Sequence, residues 1–305
     1  METPERYFDP QLIARLHGLR LRASHVVEGF VAGLHRSPFR GFSIEFAEHR
    51  NYAPGDDPRY LDWKVLARSD RFVVKRYEDE TNLVCHMLLD VSESMTYRSE
   101  LAPWSKLEYA QCALAALAYL ILLGQDAVGV MSLDDEIRAQ LPASRSAEQL
   151  RQLLEILEQP GEPTFSFARR PDLSAALHRA AEQLQRRGVV LLISDLLDDP
   201  DRLLGAFAAL RRQRQDLIVM HLQDPAEEQF PFDSPTLFHG LEGIEDLVID
   251  AHALRAAYLE AQREHAEMLK QGCLAEGVDY VAMRTDQPLD EALASYLARR
   301  AQRVR

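Results

Sequence analysis

One carboxylate and two hydroxyls stand at intervals of two residues in a short polar segment. Asp90 follows the apolar run 83–89, and Ser92 and Ser94 come next; we call these three residues the Asp90 triad. In an extended loop, residues two apart point the same way, so the three side chains can converge on one point. Oxygen donors of this kind suit hard cations, Mg²⁺ first, with Mn²⁺ or Ca²⁺ as alternatives. So few protein ligands would leave one position on the cation open to a carboxylate from another molecule.

A second aspartate, Asp195, follows another apolar run at 189–193. If the two runs form neighbouring parallel strands, Asp195 can join Asp90 at the carboxyl edge of the sheet, where ligands of such sheets bind. The simpler alternative is that both aspartates cap the helices that follow them. The spacing of the residues leaves both interpretations open.

Short apolar runs alternate with helical patterns from residue 83 onward. Strands are predicted at 83–89, 127–133, 136–142, 189–193, 217–222, 247–249 and 280–283, and helices at 106–123, 147–157, 172–187, 202–212, 254–275 and 289–300. This alternation is typical of a doubly wound, mostly parallel α/β sheet that helices cover on both faces.

The first 82 residues have a different pattern. Residues 9–36 predict a helix, and two alternating stretches at 41–46 and 71–77 predict paired strands with a polar Pro/Gly turn between them. We therefore expect two domains. A small helix-plus-β-strand subdomain would occupy residues 1–82, and the α/β domain would occupy residues 83–305.

The segment 50–68 carries the most specific motif of the chain. It closely resembles the signature of the domain-of-unknown-function family fifty-eight, over roughly residues 25–225 in all. The motif residues are Arg50, Tyr52, Gly55, Asp56, Asp57, Arg59, Asp62, Trp63 and Arg68. The Asp90 triad is similar to the metal-ion-dependent adhesion site of von Willebrand factor type A domains. Membership implies a type A-like, Rossmann-type fold with that metal site, and frequent pairing with a MoxR-type AAA+ ATPase.

The resemblance also implies a ligand set for the cation. The Asp90 triad would supply the first-loop ligands, and Asp195 the acidic ligand of the third loop. Relatives tend to have a second-loop threonine where this chain has Pro171. Thr164, seven residues earlier, is the nearest candidate and could reach the site only if the residues between them bulge outward. Otherwise water or Asp172 would complete the site.

Two interpretations of the Asp56-Asp57 turn remain open. In the first, one of the aspartates caps the following turn, and the arginines of the motif pair with Asp62 or Glu78. In the second, the turn is a contact surface for a partner. A catalytic carboxylate pair is not supported, because no nucleophile or general base accompanies it.

Charge and the N-terminal residues indicate the class of partner and the compartment. The chain has 35 Lys and Arg against 48 Asp and Glu, a formal net charge of −13. This balance argues against nucleic acid or an anionic membrane surface as the main partner. The first residues are charged, and the longest apolar run, 112–123, is too short to cross a bilayer. We therefore expect a cytoplasmic protein without a membrane partner.

These features predict a non-catalytic, divalent-metal-dependent protein-binding module. Its expected partners are the MoxR-type AAA+ ATPase that the resemblance implies and a protein that supplies a carboxylate to the cation. One alternative is a structural scaffold with a degenerate, metal-free site. The other is a metal-dependent phosphohydrolase with Asp90 as nucleophile, although Ser92 stands where such an enzyme would use a second aspartate.

Overall fold

The computed structural model describes residues 45–51, 65, 72–78, 83–159, 172–184, 186–240 and 247–303. These residues belong to two compact units, one within residues 39–83 and one within residues 84–305. The predicted helix at 9–36 lies outside the described residues. The predicted extent of the N-terminal domain therefore stays a prediction.

The smaller unit contains a pair of strands. β1 (Glu45–Asn51) pairs antiparallel with β2 (Val73–Glu78), and the register shifts between Phe46 and Glu48. β2 matches the predicted stretch at 71–77, whereas β1 overlaps the predicted stretch at 41–46 only at residues 45 and 46 and continues to Asn51. Such a shift is a β-bulge, which bends a strand locally and increases its twist.

The larger unit alternates strands and helices as the sequence predicts. Its elements are β3 (Val84–Asp90), a 3₁₀ turn (Glu93–Thr96), α1 (Lys106–Leu123), β4 (Ala127–Leu133), β5 (Ile137–Ser144), α2 (Gln149–Glu158), α3 (Leu173–Gln183), β6 (Val189–Ser194), α4 (Pro200–Arg212), β7 (Asp216–Gln223), α5 (Pro225–Gln229), β8 (Pro235–Phe238), β9 (Leu247–Asp250), α6 (Ala251–Ala275), β10 (Asp279–Arg284) and α7 (Leu289–Arg303).

Six of these strands form one sheet in the order β10-β7-β6-β3-β4-β5. All neighbouring pairs are parallel except β4 and β5, which are antiparallel at one edge. Every residue of β4 and β6 is buried, which explains why these strands are continuous apolar runs rather than alternating ones. The predicted fold class, a mostly parallel α/β sheet, is confirmed.

Different helices cover the two faces of the sheet. Leu88, Val190 and Leu192 belong to one apolar cluster with buried residues of α3, α4 and α6. On the other face, α1 packs on β3 and β4 and contacts α2 and α7. Helices therefore cover both faces of the sheet, and its core is mainly apolar.

Helix α1 has the bounds that the sequence predicts. Ser105 caps it, and Ser105 and Glu108 form a reciprocal capping box. Its composition and length would also allow it to cross a membrane, and no other helix in the described part of the chain meets that test. In this fold 61% of the helix is buried inside the domain, and α1 serves as a core helix.

The chain order creates a switch point in the sheet. From β3 the chain continues to β4 and β5 on one side, and it then returns to β6 on the other side of β3. Ligands of open α/β sheets bind outside the carboxyl ends of the strands at such a point. Asp90 ends β3 and Asp195 follows β6, so the fold places both aspartates there.

A separate hairpin follows the short helix α5. β8 pairs antiparallel with β9, with Phe238 opposite Leu247 and Thr236 opposite Ile249. The sequence predicted a strand at 247–249 but not its partner, because β8 has only four residues and begins at a proline. This hairpin contacts α6 and lies beside the carboxyl edge of the main sheet.

We expect opposite effects from two glycine-to-alanine substitutions. A Cβ at Gly129 in β4 would lie 2.6 Å from Ala143 N and 2.7 Å from Leu141 O, both backbone atoms of β5. Gly129→Ala should therefore lower the free energy of unfolding by about 1–3 kcal/mol. Gly205 in α4 has open space around its Cβ position, so Gly205→Ala should raise it by about 0.5–1 kcal/mol. Urea unfolding measures both; equal effects of the two changes would contradict this packing.

Candidate functional site

The Asp90 triad and Asp195 lie together at the switch point of the sheet. Asp90 is the last residue of β3, Ser92 and Ser94 lie in the turn after it, and Asp195 follows β6. The relative exposure of these four residues is only 2%, 8%, 6% and 3%, respectively. This burial could not be read from the residue types alone, and it makes every unpaired charge in the site costly.

Both carboxylate oxygens of Asp90 accept hydrogen bonds. The backbone N–H of Ser92 donates to Oδ1 at 2.9 Å, and the hydroxyl of Ser194 donates to Oδ2 at 2.5 Å. Ser194 Oγ in turn accepts the N–H of Leu196 at 2.8 Å. Ser194 thus joins the loops after β3 and β6. It was missed at the sequence level, where its only signal is a hydroxyl at the end of an apolar strand.

The helix caps near the site are other residues. Ser105 caps α1, and the side chain of Asp199 caps α4 by accepting the N–H of Arg202. The alternative that Asp90 and Asp195 serve as N-caps of the following helices is therefore wrong. Their carboxylates are left for contacts within the site.

The two hydroxyls of the Asp90 triad stand side by side. Ser92 Oγ and Ser94 Oγ are 3.1 Å apart. Two adjacent ligands of an octahedral Mg²⁺, each about 2.1 Å from the ion, would be about 3.0 Å apart. The donor set therefore fits a small hard cation. Within the described ranges no three His, Cys, Asp or Glu side chains form a metal-binding group, so a cation would depend on these hydroxyls and on water.

Asp195 is paired with a lysine that the sequence did not single out. Lys106, the first residue of α1, donates to Asp195 Oδ2 at 2.7 Å and to Glu227 Oε1 at 2.6 Å. Its side chain is completely buried, and its ammonium lies 5.8 Å from the ring centre of Tyr97. Glu227 is held in turn by the backbone N–H of Asp224, which donates to Glu227 Oε2 at 2.7 Å.

A signal for Lys106 was present in the sequence. The N-terminus of a helix carries partial positive charge, which disfavours a cation in the first turn. A lysine at the start of an otherwise apolar helix therefore indicates a specific anionic partner. The identity of that partner was not readable, because Asp195 and Glu227 lie 89 and 121 residues away.

Burial and neighbouring charges shift the pKa values in this cluster. Burial, together with the charge of Asp195, raises the pKa of Asp90 to about 7, against the opposing hydrogen bonds from Ser194 and Ser92. Burial raises the pKa of Glu227, and Lys106 opposes that rise. Burial alone would lower the pKa of Lys106, but Asp195 and Glu227 more than reverse this, and the net shift is upward.

Lys106 therefore pairs with two buried carboxyl groups, Asp195 and Glu227, while a third, Asp90, feels the charge of Asp195 without a cation of its own. At a pH above 7, where Asp90 is ionised, Asp90, Asp195 and Glu227 together with Lys106 carry a net negative charge. Only a further positive charge or protonation of Asp90 can compensate it at low cost. The arrangement can thus accept a cation beside Asp90.

Other predicted site residues have different positions. Asp172 caps α3 by accepting the N–H of Ala175 at 2.9 Å, and it also pairs with Arg202. Asp172 therefore serves as a helix cap and as the partner of a guanidinium. Arg50 lies in β1 opposite Val74. The remaining candidates lie outside the described residues: Thr164, Tyr52, Gly55, Asp56, Asp57, Arg59, Asp62, Trp63 and Arg68.

The fold and site define an α/β domain with a buried polar cluster at the switch point of its sheet. Residues 48–268 match the family described as "Protein of unknown function DUF58", and the chain belongs to that family. The family predicted from the 50–68 motif is confirmed. The uncharacterized proteins Rv1480 of Mycobacterium tuberculosis and Mb1516 of Mycobacterium bovis are each 27% identical to this chain over 296 residues. Those matches cover 96% of this chain and 90% of the relative.

Several solved structures resemble the chain at low identity. An aerotolerance-related membrane protein from Bacteroides fragilis is 18% identical, with a TM-score of 0.47, and the match covers 72% of this chain and 99% of that one. The conserved hypothetical protein BatB from Bacteroides thetaiotaomicron is 15% identical, with a TM-score of 0.45 and the same coverage. The SpRpn10 VWA domain is 11% identical, with a TM-score of 0.39, over 70% of this chain and 94% of that domain.

The raised pKa of Asp90 predicts a pH dependence of stability. The folded-state pKa, about 7, lies above the unfolded value, so the stabilising contribution is complete below about pH 4 and is lost as the pH rises towards 7. Asp90→Asn cannot ionise. Between pH 4 and 8, in buffer with a chelator, wild type should lose up to about 4 kcal/mol of unfolding free energy relative to this variant. Urea unfolding of both proteins across that pH range measures this difference. Parallel pH profiles of the unfolding free energy would contradict the prediction.

Removing the buried ammonium should be strongly destabilising. Lys106→Met leaves Asp195 and Glu227 buried without their cation, which should lower the free energy of unfolding at pH 7.5 by about 3–5 kcal/mol. Lys270→Met is the matched control, because the Lys270 pair with Glu267 is half-exposed and a surface ion pair contributes little to stability. Chemical unfolding of both variants makes the comparison. If both variants lose the same free energy of unfolding, the buried ion pairs of Lys106 contribute no more to stability than the exposed pair of Lys270.

Proposed function

We propose that this chain is a non-catalytic protein-binding module that binds a divalent cation at the Asp90 triad. The observation that carries the proposal is the convergence of one carboxylate and two adjacent hydroxyls inside a buried cluster of net negative charge. The cation would recruit an acidic side chain of a partner protein. Mg²⁺ fits the oxygen donors best, and Mn²⁺ or Ca²⁺ could replace it.

Different residues of this chain would have different roles in holding the cation. Asp90, Ser92 and Ser94 would be the direct ligands, and Ser194 would orient the Asp90 carboxylate through its hydrogen bond. Asp195 would contribute its negative charge while Lys106 holds it in place. With one carboxylate as direct ligand, the bound cation would keep enough positive charge to attract a carboxylate from the partner. We include Thr164 in the proposed ligand set, as the family resemblance implies.

The same contacts support a binding role over catalysis. Both oxygens of Asp90 already accept hydrogen bonds, which weakens a carboxylate as a nucleophile. Ser92 occupies the position where a phosphohydrolase of the considered type would use a second acid. We also propose, from the family resemblance, that a MoxR-type AAA+ ATPase is one partner and that the protein acts in the cytoplasm.

One observation favours a second candidate function, a metal-free scaffold. Lys106 already supplies a positive charge to Asp195 and Glu227 at 2.7 and 2.6 Å. An ammonium in that place could satisfy the acidic ligand without any metal. The two candidates differ in whether the Asp90 triad binds a divalent cation at all.

Calorimetric titration with Mg²⁺ and Mn²⁺ tests the proposal. Wild type should bind one ion per chain, and Asp90→Ala should weaken binding at least about tenfold, because the only charged direct ligand is lost. Asp216→Ala is the control, since Asp216 is half-exposed at the opposite end of the strands. Ser94→Ala, which removes a neutral ligand, should have an intermediate effect.

Partner capture extends the test. Tagged wild type should retain the MoxR-type ATPase from lysate of the native host in Mg²⁺ but not in chelator, and folded Asp90→Ala should fail to retain it. Capture without any dependence on Mg²⁺ or Asp90 would instead support the metal-free scaffold. Turnover of generic phosphoesters that Asp90→Asn abolishes would favour a hydrolase and refute the binding role.

A further inference from the structure

A cavity of about 290 Å³ opens beside the Asp90 triad. Its lining includes the polar side chains of Ser94, Tyr97, Lys106, Glu227 and His239. The rest of its wall is mainly apolar and comes from the β8–β9 hairpin, the segment before it and α6, with the lining residues Phe230, Phe232, Phe238, Ile249, Leu254 and Tyr258. Ser94 and Lys106 therefore face both the polar cluster and this cavity.

The aromatic wall is held by contacts that fix its shape. Phe230 stacks on Phe238 with ring centres 5.8 Å apart, and it also contacts Phe232 and Tyr258 at 5.1 and 4.6 Å. Phe230 has a φ of +45°, a left-handed conformation that is unfavourable for a bulky residue. Phe230 is the C-cap of α5, and helices commonly end in this left-handed conformation.

Exposed apolar side chains lie on the loop after β6 and on the hairpin that forms part of the cavity wall. Leu197, part of the lining, is 61% exposed, and Leu247, which pairs with Phe238 on the same face of the hairpin, is 58% exposed. Leu237 and Val248 on the other face of the hairpin are also exposed, at 50% and 71%. An apolar surface that extends beyond the cavity suits a macromolecule rather than a small ligand.

The wall also favours an uncharged occupant. Its lining is mainly aromatic and aliphatic, and its one carboxylate, Glu227, already pairs with Lys106, so a charged side chain would lose its hydration there with little gain. A cavity of about 150 Å³ is enough to hold benzene. The 290 Å³ available here therefore has room for one large aliphatic or aromatic side chain.

We propose that this cavity is an anchor pocket for one large apolar side chain of the partner polypeptide. That residue would neighbour the acidic residue that reaches the Asp90 triad, so the recognised element is an apolar residue next to an aspartate or glutamate. The acidic half of this element rests on the proposed function, and the apolar half rests on the cavity alone.

Defined peptides test the two halves separately. Acetylated hexapeptides with Phe-Asp, Leu-Asp, Ala-Asp, Lys-Asp or Phe-Asn at their centre are titrated into the full chain in Mg²⁺, and methyl shifts are followed by NMR. Phe-Asp and Leu-Asp should bind at least about tenfold tighter than Ala-Asp, as expected for burying one such side chain. Tighter binding of Lys-Asp than of Phe-Asp would overturn the pocket proposal.

Two variants assign the apolar preference to this cavity. Leu197→Asp places a charge at its mouth and should remove the preference for Phe-Asp over Ala-Asp. Leu123→Asp is the matched control, because Leu123 is 60% exposed and lies about 25 Å away from Lys106 at the far end of α1. Ile249→Trp, which fills the cavity from within, should reproduce the effect of Leu197→Asp.

The outcomes separate this proposal from the proposed function. If the Phe-Asp and Phe-Asn peptides bind with equal affinity while Phe-Asp still binds more tightly than Ala-Asp, the partner does not use an acidic residue, and the apolar pocket is supported. Retention of the apolar preference in both Leu197→Asp and Ile249→Trp would refute the pocket. Binding of phosphatidylcholine vesicles that Leu197→Asp abolishes would assign the surface to a membrane and refute the pocket as well.

Discussion

The buried ammonium of Lys106 is the contact on which the rest of the site depends. It connects the start of α1 with the loop after β6 and with the short helix α5, through Asp195 and Glu227. Burying these ions costs several kcal/mol each before any attraction is counted. The arrangement persists because every partner is held by a second contact, as Glu227 is by the N–H of Asp224. A change at any one of these positions would therefore affect the other segments.

The second constraint is the parallel pairing of β3 and β6. Their register places Leu89 opposite Ile193, so the next residues, Asp90 and Ser194, meet at the edge of the sheet. Ser194 then holds the carboxylate of Asp90 in one orientation. Because burial raises the pKa of that carboxyl to about 7, a proton and a cation would compete for it near neutral pH. The strength of cation binding would depend on the burial of Asp90 as much as on the two serines.

Much of the fold was readable from local patterns. Apolar runs and helical periodicity predict the strands and helices of the larger unit, because burial on both faces leaves a strong signal. The Asp90 triad and Asp195 were readable for the same reason, since each follows a buried strand. Lys106, Glu227 and Ser194 were not recognised as site residues, because their partners are distant in sequence. Strand β8 was missed because four residues starting at a proline carry too little pattern.

The polar cluster and the cavity share Ser94 and Lys106, and this has a thermodynamic consequence if both proposals hold. A partner that fills the cavity and supplies a carboxylate to the cation is linked to the cation by one coupling free energy. The cation must then raise the affinity for the partner by the same factor by which the partner raises the affinity for the cation. The apolar anchor contributes to affinity but leaves this factor unchanged unless it shifts Ser94 or Lys106. Ser94 and Lys106 lie at the boundary between the polar cluster and the cavity. A movement of either residue can therefore change both the binding of the cation and the binding of the apolar side chain.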